Sequence, residues 1–109
     1  MSKPGYDVMG NLPTYPEGEF CAVGSLHAHP QHADALVAIY KQTTKLAKSE
    51  PGVIYYCISR DNNDPTLFYF FERYASQEAL EVHMRQEILR NMLAKEYIKD
   101  MDVKFLKPL

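Results

Sequence analysis

The chain has 109 residues, of which 46% are hydrophobic, and a formal net charge of −2. That length and composition fit one domain with a true core, and the acidic balance argues against a nucleic-acid surface, which needs clustered basic residues. No leader-like apolar stretch opens the sequence and no run nears the ~18 apolar residues of a membrane span, so a cytoplasmic protein without a membrane partner is expected. Cys21 and Cys57 sit in apolar strand-like runs without CxxC spacing, and both are read as buried reduced thiols.

Residues 1–19 form a zone of their own. Pro4, Gly5, Gly10, Pro13, Pro16 and Gly18 break any periodicity, yet Tyr6, Val8, Met9, Leu12 and Tyr15 are too apolar for a plain linker. The expectation is an extended arm that packs on the body of the domain or on a partner, followed by one folded domain over 20–109.

The first strand is expected over Phe20–His29. Phe20, Ala22, Gly24, Leu26 and Ala28 line one face, and Cys21, Val23, Ser25, His27 and His29 line the other. Pro30 ends it. A helix follows from about Gln31 to Ser49, with Ala33, Leu36, Val37, Tyr40, Thr44 and Ala47 on one stripe, and Pro51-Gly52 closes it. Strands at about Val53–Arg60 and Thr66–Tyr74 flank the turn Asp61-Asn62-Asn63-Asp64-Pro65, predicting an antiparallel hairpin. Ser76 caps a second helix that carries Ala79, Leu80, Val82 and His83, and a further helical stretch covers about Gln86–Tyr97. A last strand is expected at about Met101–Leu106. The order β-α-β-β-α-(α)-β predicts an α+β, ferredoxin-like split βαβ fold, an antiparallel sheet with helices on one face.

The hairpin strands look apolar on both faces. Val53, Tyr55 and Cys57 are expected on one side of the second strand, and Ile54, Tyr56 and Ile58 on the other. The third strand sets Leu67, Tyr69 and Phe71 against Phe68 and Phe70. One face goes to the helices, and an open apolar face asks for a cover. A two-fold homodimer with sheets packed together, or closed into a dimeric α/β barrel, is the expected cover. The competing arrangement is a monomer with its N-terminal arm laid over the sheet.

The Pro51-Gly52-Val53 entry, Tyr56, the Asp64-Pro65 turn, Glu72 before an aromatic, and the series Ser76, Ala79, Leu80, His83 together resemble the antibiotic biosynthesis monooxygenase domain over about Phe20–Leu106. That resemblance implies a dimeric α/β barrel with a pocket between sheet and helices, beside the histidine of the second helix. It also implies a choice among reactions: oxidation of polycyclic phenols or quinols by O2 without metal or flavin, haem degradation, or isomerisation of small phosphorylated sugars. The chain departs from the family pattern at Glu72-Arg73-Tyr74, where Glu-x-Trp is common. It also departs after His83, where Met84-Arg85-Gln86-Glu87-Ile88 replaces the usual serine and aromatic. The haem-degrading branch relies on a first-strand asparagine and a tryptophan, and this chain has neither.

His83 is the candidate catalytic group. A neutral imidazole in a ring-lined cavity can take a phenol proton, and the electron-rich ring that results can react with O2 directly. The competing reading is a core histidine bonded to strand backbone or to Glu72. Tyr56, Tyr69, Glu72 and Tyr74 are the candidate substrate-binding residues, with Tyr55 a further source of a hydroxyl, and each tyrosine has packing as its plainer role. Glu72 is expected to orient His83 or to pair with Arg73 or Arg60. His27-x-His29-x-x-His32 has the look of a metal motif, but no fourth ligand stands at a useful spacing, so no metal and no other cofactor is expected. No phosphate-binding loop or Gly-x-Ser-x-Gly elbow is present. The expected activity is a small homodimeric, cofactor-independent monooxygenase acting on a quinol or polycyclic, polyketide-like aromatic. The alternatives are a non-catalytic binder of a small apolar ligand or an accessory dimer, and a non-oxidative isomerase or cyclase using the same pocket.

Overall fold

The structure, a computed structural model, describes Thr14 and residues 16–109. The contacts expected of Tyr6, Val8, Met9, Leu12 and Tyr15 therefore lie outside the described residues. Strand β1 (Phe20–Ala28) leads through a single 3-10 turn at Pro30–His32 into helix α1 (Ala33–Ala47). Strands β2 (Val53–Arg60) and β3 (Leu67–Tyr74) follow, then helices α2 (Gln77–Met84) and α3 (Glu87–Ala94), and strand β4 (Ile98–Leu106). The sheet order is β2-β3-β1-β4 with every neighbour antiparallel. This is the expected α+β ferredoxin-like arrangement.

Local chemistry explains the joints. Asp61 Oδ2 accepts the N–H groups of Asn63 and Asp64, both at 2.9 Å, and Asp64 Oδ1 accepts from the backbone and hydroxyl of Thr66, so the β2–β3 loop is tied by its own side chains. Ser76 Oγ accepts from Ala79 N at 3.2 Å and starts α2 as its N-cap. At Gly52 a Cβ would stand 2.5 Å from Ala79 Cβ. Glycine there lets the α1–β2 turn lie directly on α2, which brings Glu50 beside that helix.

Two boundaries and one strand register differ from expectation. Helix α3 stops at Ala94 rather than Tyr97, because Glu96 takes a left-handed φ of 55°. Its N–H bonds back to Leu93 O at 3.4 Å, a helix end with glutamate where glycine usually sits. Strand β4 accordingly begins at Ile98 rather than Met101. In β2 a register irregularity between Val53 and Tyr55 turns Val53 to the helix side, against Phe20, Tyr74 and Leu80, and leaves Ile54 49% exposed. The expected grouping of Val53 with Tyr55, and of Ile54 with Tyr56, is corrected by that irregularity.

The core lies between sheet and helices in two clusters. The larger holds Leu26, Leu36, Tyr40, Phe68, Phe70, Leu89, Met92 and Ile98, and the smaller holds Phe20, Ala22, Tyr74 and Leu80. Gly24 is required at mid-strand, since a Cβ would fall 1.9 Å from Asp102 O and 2.9 Å from Phe70 Cζ. The other sheet face is apolar on β2 and β3, where Tyr55, Tyr69 and Phe71 are 52%, 47% and 45% exposed. Across β4 that face turns polar, with Asp100, Asp102 and Lys104 exposed. Cys21 is buried, whereas Cys57 is only half-buried on the open face, which corrects the expectation of two sealed thiols; both are free. Among the described residues no helix is long and apolar enough to cross a membrane.

Candidate active site

A cavity of about 70 Å³ lies between the sheet and the helices, at the seam where the two core clusters meet. Leu26, Phe70, Leu89, Met92 and Val103 supply much of its apolar wall, and Tyr56, Glu72 and His83 give it a polar end. Strand alternation makes this end. Tyr56 pairs with Glu72 across β2 and β3, so both side chains project to the helix side. Helix α2, fixed by its Ser76 cap and by Gly52 against Ala79, lowers His83 onto them.

His83 is 1% exposed, a basic side chain among the fully buried residues described. Its ring lies 4.8 Å from the Tyr56 ring and 5.8 Å from the Tyr74 ring, measured between centroids. Nδ1 is 2.7 Å from Glu50 Oε1. A carboxylate can only accept, so the proton of this bond sits on Nδ1, and in the neutral imidazole Nε2 keeps the lone pair. No protein partner for Nε2 is found among the described residues. Gln86 Nε2 donates to the same Glu50 oxygen at 2.9 Å, while Gln86 Oε1 is sealed from solvent without a partner among the described residues. The amide is thus committed to Glu50 at the expense of its own carbonyl, and His83, Glu50 and Gln86 form one unit.

The second polar unit is Glu72 with Tyr74, whose hydroxyl donates to Glu72 Oε1. Burial pushes the Glu72 carboxyl up to about 7, opposed by the Tyr74 hydrogen bond. Burial raises the Tyr74 and Tyr56 hydroxyls well above the usual phenol range, and Glu72 adds to both, so each stays a neutral phenol. Thr43 Oγ1 donates to Tyr40 O at 3.2 Å and lies 2.8 Å from the Tyr56 oxygen. With its own proton spent on Tyr40, Thr43 accepts from Tyr56, and the Tyr56 oxygen is left as an acceptor.

Of the five residues expected at the site, the structure brings together His83, Tyr56, Glu72 and Tyr74. Tyr69 is not among them. It alternates with Phe68 and Phe70 along β3, and its side chain lies exposed on the far face of the sheet, beside Cys57 and Phe71. The expected partners of Glu72 are also corrected: Arg73 bonds Glu19, Arg60 bonds Asp34 at 2.9 Å, and His83 is held by Glu50. Sequence reasoning missed Glu50, Gln86 and Thr43. Gln86 follows His83 by three residues across the turn between α2 and α3, where its N–H bonds back to His83 O at 3.3 Å. Glu50 carries no such signal, because only the Gly52–Ala79 contact brings it there. The three histidines of the β1 end diverge: His27 bonds Asp100 at 2.9 Å, His32 stacks on Tyr97 at 4.5 Å, and His29 sits at the turn between them. No metal-holding group of three or more His, Cys, Asp or Glu occurs among the described residues.

The sequence profile of a family described as antibiotic biosynthesis monooxygenase matches residues 19–95. Among curated proteins none matches the chain. Solved structures share the fold. PA3566 from Pseudomonas aeruginosa aligns with a TM-score of 0.74 at 22% identity, over 88% of this chain and 99% of that one. A protein described as an antibiotic biosynthesis monooxygenase gives 0.71 at 19% identity, over 83% of this chain and 98% of that one. Rv0793 from Mycobacterium tuberculosis gives 0.69 at 21% identity, over 84% of this chain and 95% of that one.

Proposed function

This chain belongs to the antibiotic biosynthesis monooxygenase family, and on that premise we propose that it is a cofactor-independent monooxygenase of a quinol-type aromatic, with His83 as the base. The observation that carries this reading is the Glu50–His83 pair, 2.7 Å apart, at the polar end of an apolar cavity. Glu50 fixes the tautomer, so Nε2 takes the proton of a ring hydroxyl. The resulting phenolate places electron density on a ring carbon, which O2 attacks. A dihydric phenol and one O2 give a hydroxyquinone and one water: the ring gains one oxygen atom, and the substrate supplies the electrons that reduce the other. The proton held on His83 returns to the departing reduced oxygen. Tyr56 and Glu72 bind and orient the ring oxygens, Tyr74 steadies Glu72 through its hydroxyl, and the apolar wall excludes bulk water.

The same reading includes a homodimer. Tyr55 and Phe71 pack edge to face at 5.7 Å on the open sheet, with Tyr69 beside them, and together they form an apolar patch of the kind that a second copy covers.

Oxygen-electrode assays with a panel of quinols test the reaction, and light scattering tests the dimer. Uptake of one O2 per substrate, lost in His83→Ala, is expected. Absence of uptake with every quinol, alongside exchange of substrate hydrogens with solvent, points instead to the isomerase or cyclase alternative. Ligand binding that is indifferent to His83→Ala, with no turnover, points to a non-catalytic binder.

A further inference from the structure

The shape, charge and hydrogen-bond polarity of the cavity define its ligand more narrowly than the family does. We propose that the site takes a neutral, single-ring compound carrying two oxygen substituents, one of them a hydroxyl, and that it rejects both fused polycycles and anionic ligands. This rests on the reading of the His83 cavity as the functional site.

Size comes first. A cavity of about 150 Å³ is known to hold one benzene ring, and the space here is about 70 Å³. One ring therefore enters only if part of the wall moves. Met84, Met92 and Met101 line that wall, and unbranched thioether side chains are the ones that reshape at low cost. Their displacement makes room for one ring. Three fused rings need the helices themselves to leave the sheet, against the packing of Leu36, Leu89 and Ile98.

Charge comes second. Among the described residues that line the cavity, none is lysine or arginine. Glu72 is in the lining, and Glu50 stands directly behind His83. A phosphate or carboxylate drawn into this space would lose its water and find carboxyl groups instead of a counter-charge. Phosphorylated sugars are excluded on that ground.

Hydrogen-bond polarity comes third. His83 Nε2 offers a lone pair, because Nδ1–H is spent on Glu50. The Tyr56 oxygen offers another, because its proton is spent on Thr43. Glu72 takes the Tyr74 hydroxyl on Oε1, and burial keeps its proton into the neutral range, so that its second oxygen can donate. The complement is a ring with a hydroxyl whose proton goes to His83 or Tyr56 and an oxygen that accepts from Glu72.

The test is anaerobic titration, so that binding is read apart from any reaction. The probes are hydroquinone and catechol (neutral single rings), 2,5-dihydroxybenzoate (the same ring with a carboxylate), 1,4-dimethoxybenzene (no donor) and 1,8-dihydroxyanthracen-9-one (three fused rings). Saturable binding of at least one diol is expected, more than tenfold tighter than the carboxylated and dimethoxy rings, with no saturation by the tricycle. Equal or tighter binding of the carboxylated ring or the tricycle overturns the ligand class, as does failure of both diols to saturate at millimolar concentration. Met84→Phe, at a partly buried wall position, fills the cavity. With the fold verified by circular dichroism, it should abolish diol binding, and undiminished binding places the ligand elsewhere. A protein that binds the diols as described but consumes no O2 keeps this ligand class and loses the monooxygenase reading.

Discussion

Glu72→Gln isolates a carboxyl whose ionisation is opposed by burial. In the unfolded chain this carboxyl titrates near 4.5, and in the folded protein burial moves it to about 7. Between those values the folded state holds the proton more firmly than the unfolded state does. Stability from this group is therefore greatest at low pH, falls as pH rises through the window from 4.5 to about 7, and stays low above it. At about 1.4 kcal/mol per pH unit the full difference is about 3 kcal/mol, and solvent reaching the partly buried side chain reduces it to roughly 2 kcal/mol. Glutamine keeps an oxygen to accept from Tyr74 and carries no titrating proton. Urea denaturation of both proteins at several values between about pH 5 and pH 8 gives the difference directly, and the other ionisable groups cancel in it. Relative to Glu72→Gln, the unmodified protein should lose roughly 2 kcal/mol across that range. Parallel stability profiles, agreeing within about 0.5 kcal/mol throughout, would show that Glu72 is not desolvated, and the donor assigned to it in the cavity would go with it.

The remaining predictions address the joints around His83. Glu50→Ala leaves His83 Nδ1–H and the Gln86 amide without their shared acceptor and should cost about 1–3 kcal/mol, seen as a lower melting temperature; the loss of tautomer control should lower kcat more than it raises KM. Gly52→Ala drives a Cβ to 2.5 Å from Ala79 Cβ and should destabilise by about 1–3 kcal/mol, with the His83 ring resonances shifted; adding Ala79→Gly should recover part of that loss, and strict additivity of the two changes would refute the contact. Glu96→Gly relieves a left-handed residue at the end of α3 and should raise stability by up to about 1 kcal/mol, whereas a loss would mean that the glutamate side chain has a role of its own. Phe71→Ser should shift light scattering towards the monomer while leaving the cavity intact.

The sequence made the fold legible wherever one residue type dictates one local geometry. Ser76 starts α2, Pro30 ends β1, and the Asp61–Pro65 turn closes its hairpin, because each acts through its nearest neighbours. The α3 end was hidden because Glu96 holds a conformation that glycine would have announced. The face assignment failed at Val53 for a related reason: a register irregularity changes the face without changing the residue pattern. In the site, period-two alternation predicts that Tyr56, Glu72 and Tyr74 can share a side. The same alternation puts Tyr69 on the other side, a consequence available from its position between Phe68 and Phe70. Glu50 could not be reached this way, because its contact with His83 spans 33 residues and depends on the closeness of two backbones at Gly52 and Ala79.

These two carboxyl groups divide the work at the polar end. Glu50 lies behind the imidazole and fixes which nitrogen faces the cavity, so its value is orientation. Glu72 lines the cavity, retains its proton into the neutral range and carries the Tyr74 hydroxyl. A base beside a proton donor is the arrangement needed to take a proton from one ring oxygen while steadying the charge that develops on the other. Neither group does this alone. Under the proposed reaction a lone His83 would exchange between tautomers, and an ionised Glu72 would repel a phenolate formed beside it. Rising pH should therefore discharge the donor as it passes the Glu72 range near 7. Turnover should accordingly decline on the alkaline side through loss of the Glu72 proton. That decline should be missing in Glu72→Gln, whose amide still donates but does not titrate.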